Sequence, residues 1–219
     1  MTGEEFVQEM NATIWQLLSV RDAALAGLKE RANLAEMPDL LRCALRHELE
    51  ATEIAALWVA STAETEIKLT FARQAGDEAR HYVLVAGRLA ELGAALGGPS
   101  PTGGGRSKLF RYLEGLDSTV ERVAAGLFAR EAVGNKSNEL FIEFCEGSSD
   151  QATADLFRVH IQPDEKRHQE WGRELLAGLA LDEPRQGAAR KAVLTTLELA
   201  DELRSLAWGR PLAATVPGS

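Results

Sequence analysis

The pentapeptide Asp-Glu-x-Arg-His occurs twice, as Asp77-Glu78-Ala79-Arg80-His81 and as Asp164-Glu165-Lys166-Arg167-His168, each time in a stretch whose apolar residues recur every three or four positions. On a helix, a Glu and a His three apart share one face about one turn from each other. In both copies the neighbouring apolar residues predict that this face points inward: Phe71, Ala75, Val85 and Leu89 around the first, Phe157, Ile161, Leu175 and Leu179 around the second. Buried charges are tolerated only when paired or bound to a metal. One Glu-x-x-His on a charged helix reads as a solvated surface pair, whereas two on inward stripes read as two halves of one site. The chain must fold so that these two helices meet.

The rest of the sequence supports helices throughout. Alternating β-branched residues are missing, and Ala, Leu and Glu dominate long stretches. The periodicity predicts a first helix over Glu4–Glu30 with Phe6, Met10, Ile14, Leu17, Ala24 and Leu28 on its stripe. A second follows Pro38, with Leu41, Leu45, Thr52, Ala55 and Val59 inward, and a capping box at Ser61-Thr62-Ala63-Glu64 opens a third that reaches about Leu92. The stretch from Gly97 to Gly105 is rich in Gly and Pro and reads as a long connection. Neither side of it has enough amphipathic faces to close a core, which predicts a crossover within one domain. After a short piece around Leu109–Leu116, a second capping box, Ser118-Thr119-Val120-Glu121, opens a helix with Val120, Ala124, Leu127, Phe141 and Cys145 inward; Gly147-Ser148-Ser149-Asp150 stops it. A helix over Gln151–Ala180, interrupted by Pro163, and a last helix over Gly187–Trp208 complete the reading. The expected fold is all-α and a single domain over the 219 residues: two antiparallel helix pairs over about 39–180, joined by a crossover, with an additional helix at each end.

Two more carboxylates complete the constellation. Glu131 occupies a core position in the series Val120, Ala124, Leu127, Glu131, Gly134, Asn138, Phe141. Glu48 does the same in Leu41, Leu45, Glu48, Thr52, Ala55, Val59, while Glu50 and Glu53 fall on the flanks. Glu48 is the preferred reading and Glu50 stays open, because helix rotation is uncertain by a residue. The candidate ligand set is thus Glu48, Glu78, His81, Glu131, Glu165 and His168. Four carboxylates neutralise two divalent ions, so the reduced centre can sit among apolar side chains. Oxidation adds positive charge that anions derived from dioxygen would balance. Hard carboxylates with imidazole suit iron, and manganese fits the same donors. Asp77, Asp164, Arg80 and Arg167 are candidates for orienting the ligands from behind. Gly134-Asn135-Lys136-Ser137-Asn138 is poor helix beside Glu131 and could line a pocket. Tyr82, His47, His160, Cys43, Cys145 and the tryptophans read as packing or polar helix residues.

Charge and composition exclude other classes. With 24 Lys and Arg against 33 Asp and Glu, the net charge is −9, which disfavours a nucleic-acid partner. The longest apolar run, Ile54–Ala60, is far short of a bilayer span, and the acidic start has no basic leader, so a cytoplasmic location without membrane contact is expected. Two cysteines without a Cys-x-x-Cys fit neither a zinc ribbon nor a rubredoxin iron.

These residues resemble the ferritin-like di-iron carboxylate superfamily over about Leu40–Ala180. The Asp-Glu-x-Arg-His form looks like that of the bacterial multicomponent monooxygenase hydroxylases. Glu48-Leu49-Glu50-Ala51 and Glu78-Ala79-Arg80-His81-Tyr82 look like parts of the tRNA-modifying di-iron hydroxylases. The resemblance implies a four-helix bundle with a long connection between its second and third helices. It implies Glu48, Glu78, His81, Glu131, Glu165 and His168 as ligands, with Glu78 and Glu165 as bridges, and dioxygen activation for hydroxylation, desaturation or ferroxidation. The chain is shorter than a multicomponent hydroxylase subunit and lacks the basic surface a tRNA needs, so substrate class does not carry over. The expectation is an oxidoreductase with two Fe ions, O2 as co-substrate, a small organic substrate, and electrons from a ferredoxin or reductase, as a monomer or homodimer. The alternative is a ferroxidase or peroxide-detoxifying protein of ferritin or rubrerythrin type. A helical interaction module without metal is the non-catalytic reading.

Overall fold

The computed structural model describes residues 1–32, 37–96 and 105–208. The path of the expected crossover from Gly97 to Gly104 lies outside them, as do the side chains of Ala24, Leu28 and Trp208. The described chain is all-helical, with no strand among the described residues. Helix α1 spans Gly3–Ala32, α2 Met37–Ser61, α3 Thr65–Glu91 and α4 Lys108–Glu114. Next comes a continuous rod of α5 (Thr119–Arg122), a π-helical segment (Val123–Arg130) and α6 (Glu131–Gly147). A second rod joins α7 (Gln151–Leu156), a shorter π-helical segment (Phe157–Ile161) and α8 (Gln162–Leu179), and α9 spans Glu183–Trp208.

Pro163 lies in the first turn of α8, where its missing N–H is tolerated, so the chain stays helical through the expected interruption and the irregularity is taken up by the π-helical segment just before it. Ser118 caps α5 as expected, accepting from the Glu121 amide. The box at Ser61 does not form. Helix α2 runs through Ser61, whose hydroxyl donates back to the Leu57 carbonyl, and α3 opens after Glu64 without a side-chain cap. The Glu64 carboxylate instead accepts from the Thr119 hydroxyl, and Arg122 donates to the Ser61 carbonyl, which fastens the α2–α3 turn to the first rod.

Helices α2 and α3 lie along each other, joined by a short turn, and the first rod packs against α8, α9 and, through α6, α7. Helix α1 covers α8 and α9. The π-helical stretch Val-Ala-Ala-Gly-Leu-Phe-Ala is apolar on every side because it is enclosed on every side. Gly172 is required where α8 meets this rod: a Cβ there would sit 2.5 Å from the Leu127 carbonyl carbon. That close approach sets the α8 stripe as Glu165, His168, Gly172 and Leu176, so Leu176 is fully buried where Leu175 was expected. On α1 the same one-residue rotation buries Leu18 fully and Leu17 only in part.

The core is in two pieces. One apolar cluster contains Phe6, Met10, Ile14, Trp58, Phe71, Leu127 and Phe128; the other contains Leu41, Leu45, Val85, Leu89, Phe141 and Phe157. The buried stripe of α3 reads Phe71, Gln74, Glu78, His81, Val85, Leu89, passing from the first cluster through a polar layer into the second. No helix among the described residues is long and apolar enough to cross a membrane.

Candidate metal centre

The polar layer is built from one or two residues per helix. It takes Glu48 from α2, Glu78 and His81 from α3, Glu131 from α6, and Glu165 and His168 from α8. All six are buried, with Glu131, His81 and His168 at 0 % exposure and Glu48 the most exposed at 8 %. They form two overlapping groups, Glu48–Glu78–His81–Glu165 and Glu78–Glu131–Glu165–His168, in each of which one donor atom per residue lies within 4.8 Å of the others. Glu78 and Glu165 belong to both. Each group could hold a metal ion.

His81 Nδ1 faces Glu78 Oε2 at 3.3 Å, Glu48 Oε2 at 3.5 Å and Glu165 Oε1 at 3.6 Å. His168 Nδ1 faces Glu78 Oε1 and Glu131 Oε2, both at 3.6 Å. Behind each ring the motifs cross over. Asp164, from the second copy, lies 3.1 Å from His81 Nε2, and Asp77, from the first, lies 3.1 Å from His168 Nε2. An Nε2–H donated to those carboxylates leaves the Nδ1 lone pair aimed at the glutamates, the orientation a metal needs. Arg80 pairs with Asp164, and Arg167 with both Asp164 and Asp77, which ties α3 to α8 behind the rings.

Electrostatics show how crowded the layer is without a cation. Burial pushes the Glu48 carboxyl up to about 7 against the pull of His81. Burial raises Glu165 well above the usual carboxylate range, reinforced by Glu131, Glu78 and Glu48. Burial would also raise Glu78, but His168, His81 and Arg130 outweigh it and hold that carboxyl below its ordinary value. Burial opposes charge on the histidines, yet Glu48 and Glu78 lift His81 to about 10, and Glu131 and Glu78 lift His168 to about 11. Among the described residues, Glu78 Oε1, Glu131 Oε2 and His168 Nδ1 are buried with no hydrogen-bond partner. Buried polar atoms without partners that face one spot are costly unless a cation sits among them. Hard oxygen donors with one imidazole per group fit iron or manganese.

Glu50 is also buried but turns away from the layer. Its carboxylate accepts from the Ser107 amide and hydroxyl and pairs with Arg46, while Glu53 pairs with Arg106. Of the α2 carboxylates, only Glu48 reaches the other ligands. Two residues outside the expected set hold Glu131: Gln74 donates to its Oε1 at 2.8 Å and Arg130 to the same oxygen at 3.0 Å. Gln74 had a legible signal, a polar residue four before Glu78 on the buried stripe.

A cavity of about 150 Å³ abuts the layer and is lined by Glu48 and Glu165 among apolar walls that include Leu40, Phe141 and Phe157. Gly134, Ser137 and Asn138 line it as well, although their stretch is regular helix. Gly134 gives the Glu165 carboxylate its space, since a Cβ would lie 2.7 Å from Glu165 Oε2. His47 lines the cavity too, its pKa lowered to about 4 by burial and Arg130, so its ring is neutral. Tyr82 packs half-buried against the second apolar cluster.

No protein-family model matches the chain, and neither a curated protein nor a solved structure matches it.

Proposed function

We propose that this protein is a non-haem di-iron oxidoreductase, of the ferritin-like four-helix-bundle type, that uses O2 to hydroxylate or otherwise oxidise a small organic molecule. One observation carries the reading: two buried ligand groups share Glu78 and Glu165 and open on their Glu48 side into an apolar cavity. Glu48 and His81 would hold one ion, Glu131 and His168 the other, and Glu78 and Glu165 would bridge them. An iron pair there would supply O2 reduction, with one oxygen atom entering a substrate C–H bond, the other leaving as water, and two electrons and two protons coming from a ferredoxin or reductase.

The chain's own residues do the rest. Asp164 and Asp77 fix the tautomer and tilt of His81 and His168. Gln74 and Arg130 hold one oxygen of Glu131 and leave the other to its ion. Leu40, Phe141 and Phe157 give the cavity apolar walls, and Gly134 leaves space for the Glu165 carboxylate. The apolar walls beside the ligands favour an organic substrate over the ferritin- or rubrerythrin-type alternative, which consumes Fe²⁺ or peroxide.

Anaerobic loading with Fe²⁺ followed by elemental analysis and exposure to O2 tests the proposal. About two irons per chain and O2-dependent oxidation of the iron are expected. Fewer than about one iron per chain contradicts it, and a large shell that stores many more favours the storage alternative.

A further inference from the structure

Resting on the two-ion reading, we propose that the cavity beside Glu48 and Glu165 binds a small monocarboxylate with an apolar body, its carboxylate held by Arg130. Arg130 lines that cavity and is buried to one-fifth exposure of its side chain. Its ion pairs are with Glu131, at 3.0 Å, and Glu78, at 4.0 Å, both of them members of the ligand set. A guanidinium cannot shed its proton at any ordinary pH. Arg130 shares Glu131 and Glu78 with His168, which faces the same two carboxylates. With two divalent ions bound to four glutamates the charges of the set cancel, and Arg130 is left as a buried cation without a counter-charge, an unfavourable state that an entering anion relieves.

The other charges around the cavity are already matched. Glu50 faces it but is held by Arg46 and Ser107, and behind the rings Asp77 and Asp164 are matched by Arg167 and Arg80. Arg130 spends one N–H on Glu131 and another on the His47 carbonyl at 3.3 Å, and a guanidinium carries five. The remaining wall is mostly apolar, with Ser137, Asn138 and the neutral His47 ring as polar exceptions. A volume of about 150 Å³ accepts a body the size of a benzene ring and is too small for a nucleotide or a long acyl chain. The ligand class is therefore a short aliphatic or single-ring acid, its tail toward Glu48 and Glu165.

The test is calorimetry on the full chain loaded with redox-inert Zn²⁺, comparing benzoate with benzamide and hexanoate with hexanamide. At least one acid is expected to bind roughly tenfold or more tightly than its amide, with the preference kept in Arg130→Lys and lost in Arg130→Gln. The comparison of acid with amide in the zinc-loaded wild type, where equal binding overturns the proposal, stands even if Arg130→Gln fails to fold. Equal binding of acid and amide, no binding of either acid at millimolar concentration, or a preference that survives Arg130→Gln with zinc retained overturns the proposal. Uptake of clearly fewer than two Zn²⁺ overturns the two-ion reading beneath it; full uptake without acid preference overturns only the present inference.

Discussion

The two halves of the polar layer carry the same pentapeptide, yet their surroundings differ. The Glu131–His168 half is sealed: Glu131 and His168 have no exposure, and Gln74 and Arg130 fasten one oxygen of the carboxylate. In the Glu48–His81 half, Glu48 reaches His81 without a comparable clasp and lines the cavity. Repetition of Asp-Glu-x-Arg-His gives a near-symmetric frame, and the residues around it break the symmetry. One half holds its carboxylate from a second side, and the other borders the cavity.

The comparison can be broken most severely at the residues the halves share. Glu78→Ala removes a donor from both groups, and elemental analysis after Fe²⁺ loading should find that both ions are lost; Glu48→Ala and Glu131→Ala should each leave about one ion per chain. Retention of about two ions in Glu78→Ala would show that the halves do not share it.

A smaller effect separates two glycines. In Gly172→Ala the new methyl meets Leu127 backbone, which cannot yield without separating two helices, so chemical denaturation should show a loss of about 1–3 kcal/mol. In Gly134→Ala the methyl meets only the end of the Glu165 side chain, so stability should hold while metal affinity weakens. If Gly134→Ala binds metal as the wild type does, Glu165 has no ligand role.

The gentlest probe is pH. His81 and His168 have folded-state pKa values raised above 6.5 to about 10 and 11, and Glu48 is raised from 4.5 to about 7. Each binds protons more tightly folded than unfolded, so its stabilisation is complete below the ordinary value and lost as pH climbs through the raised one. Glu78 runs the other way, its contribution lost as pH falls through its depressed value. The Tm of the metal-free chain should therefore fall by a few degrees between about pH 5 and about pH 9. Metal binding displaces those same protons, so the Tm gain on adding Fe²⁺ anaerobically should grow over that range. A metal-free Tm that rises with pH would contradict the assigned proton sites.

What was legible in the sequence is local. Glu78 with His81, and Glu165 with His168, fall on the inward stripes because a three-residue step on a helix is fixed by geometry. The all-helical class followed from the same periodicity. What escaped depends on how one helix is turned against another. Glu48 was preferred over Glu50 on the inward stripe, but the contact that turns Glu50 away, with Ser107, comes from outside α2 and has no signal in its spacing. The Asp77–His168 and Asp164–His81 pairs cross between helices, so no spacing within one helix reveals them. Leu176 replaced Leu175 in the core because Gly172 lets α8 approach Leu127 closely. Arg130 gave no signal, since its neighbour Glu131 explains itself as a ligand without it.

Anomalous diffraction at the iron edge from crystals loaded anaerobically with Fe²⁺ would show where the ions sit in the layer. Two peaks roughly 3.5–4 Å apart are expected, one among Glu48, Glu78, His81 and Glu165 and the other among Glu78, Glu131, Glu165 and His168. A map with no peak in this layer, or with iron bound only at surface carboxylates, would show that the six residues hold no metal pair.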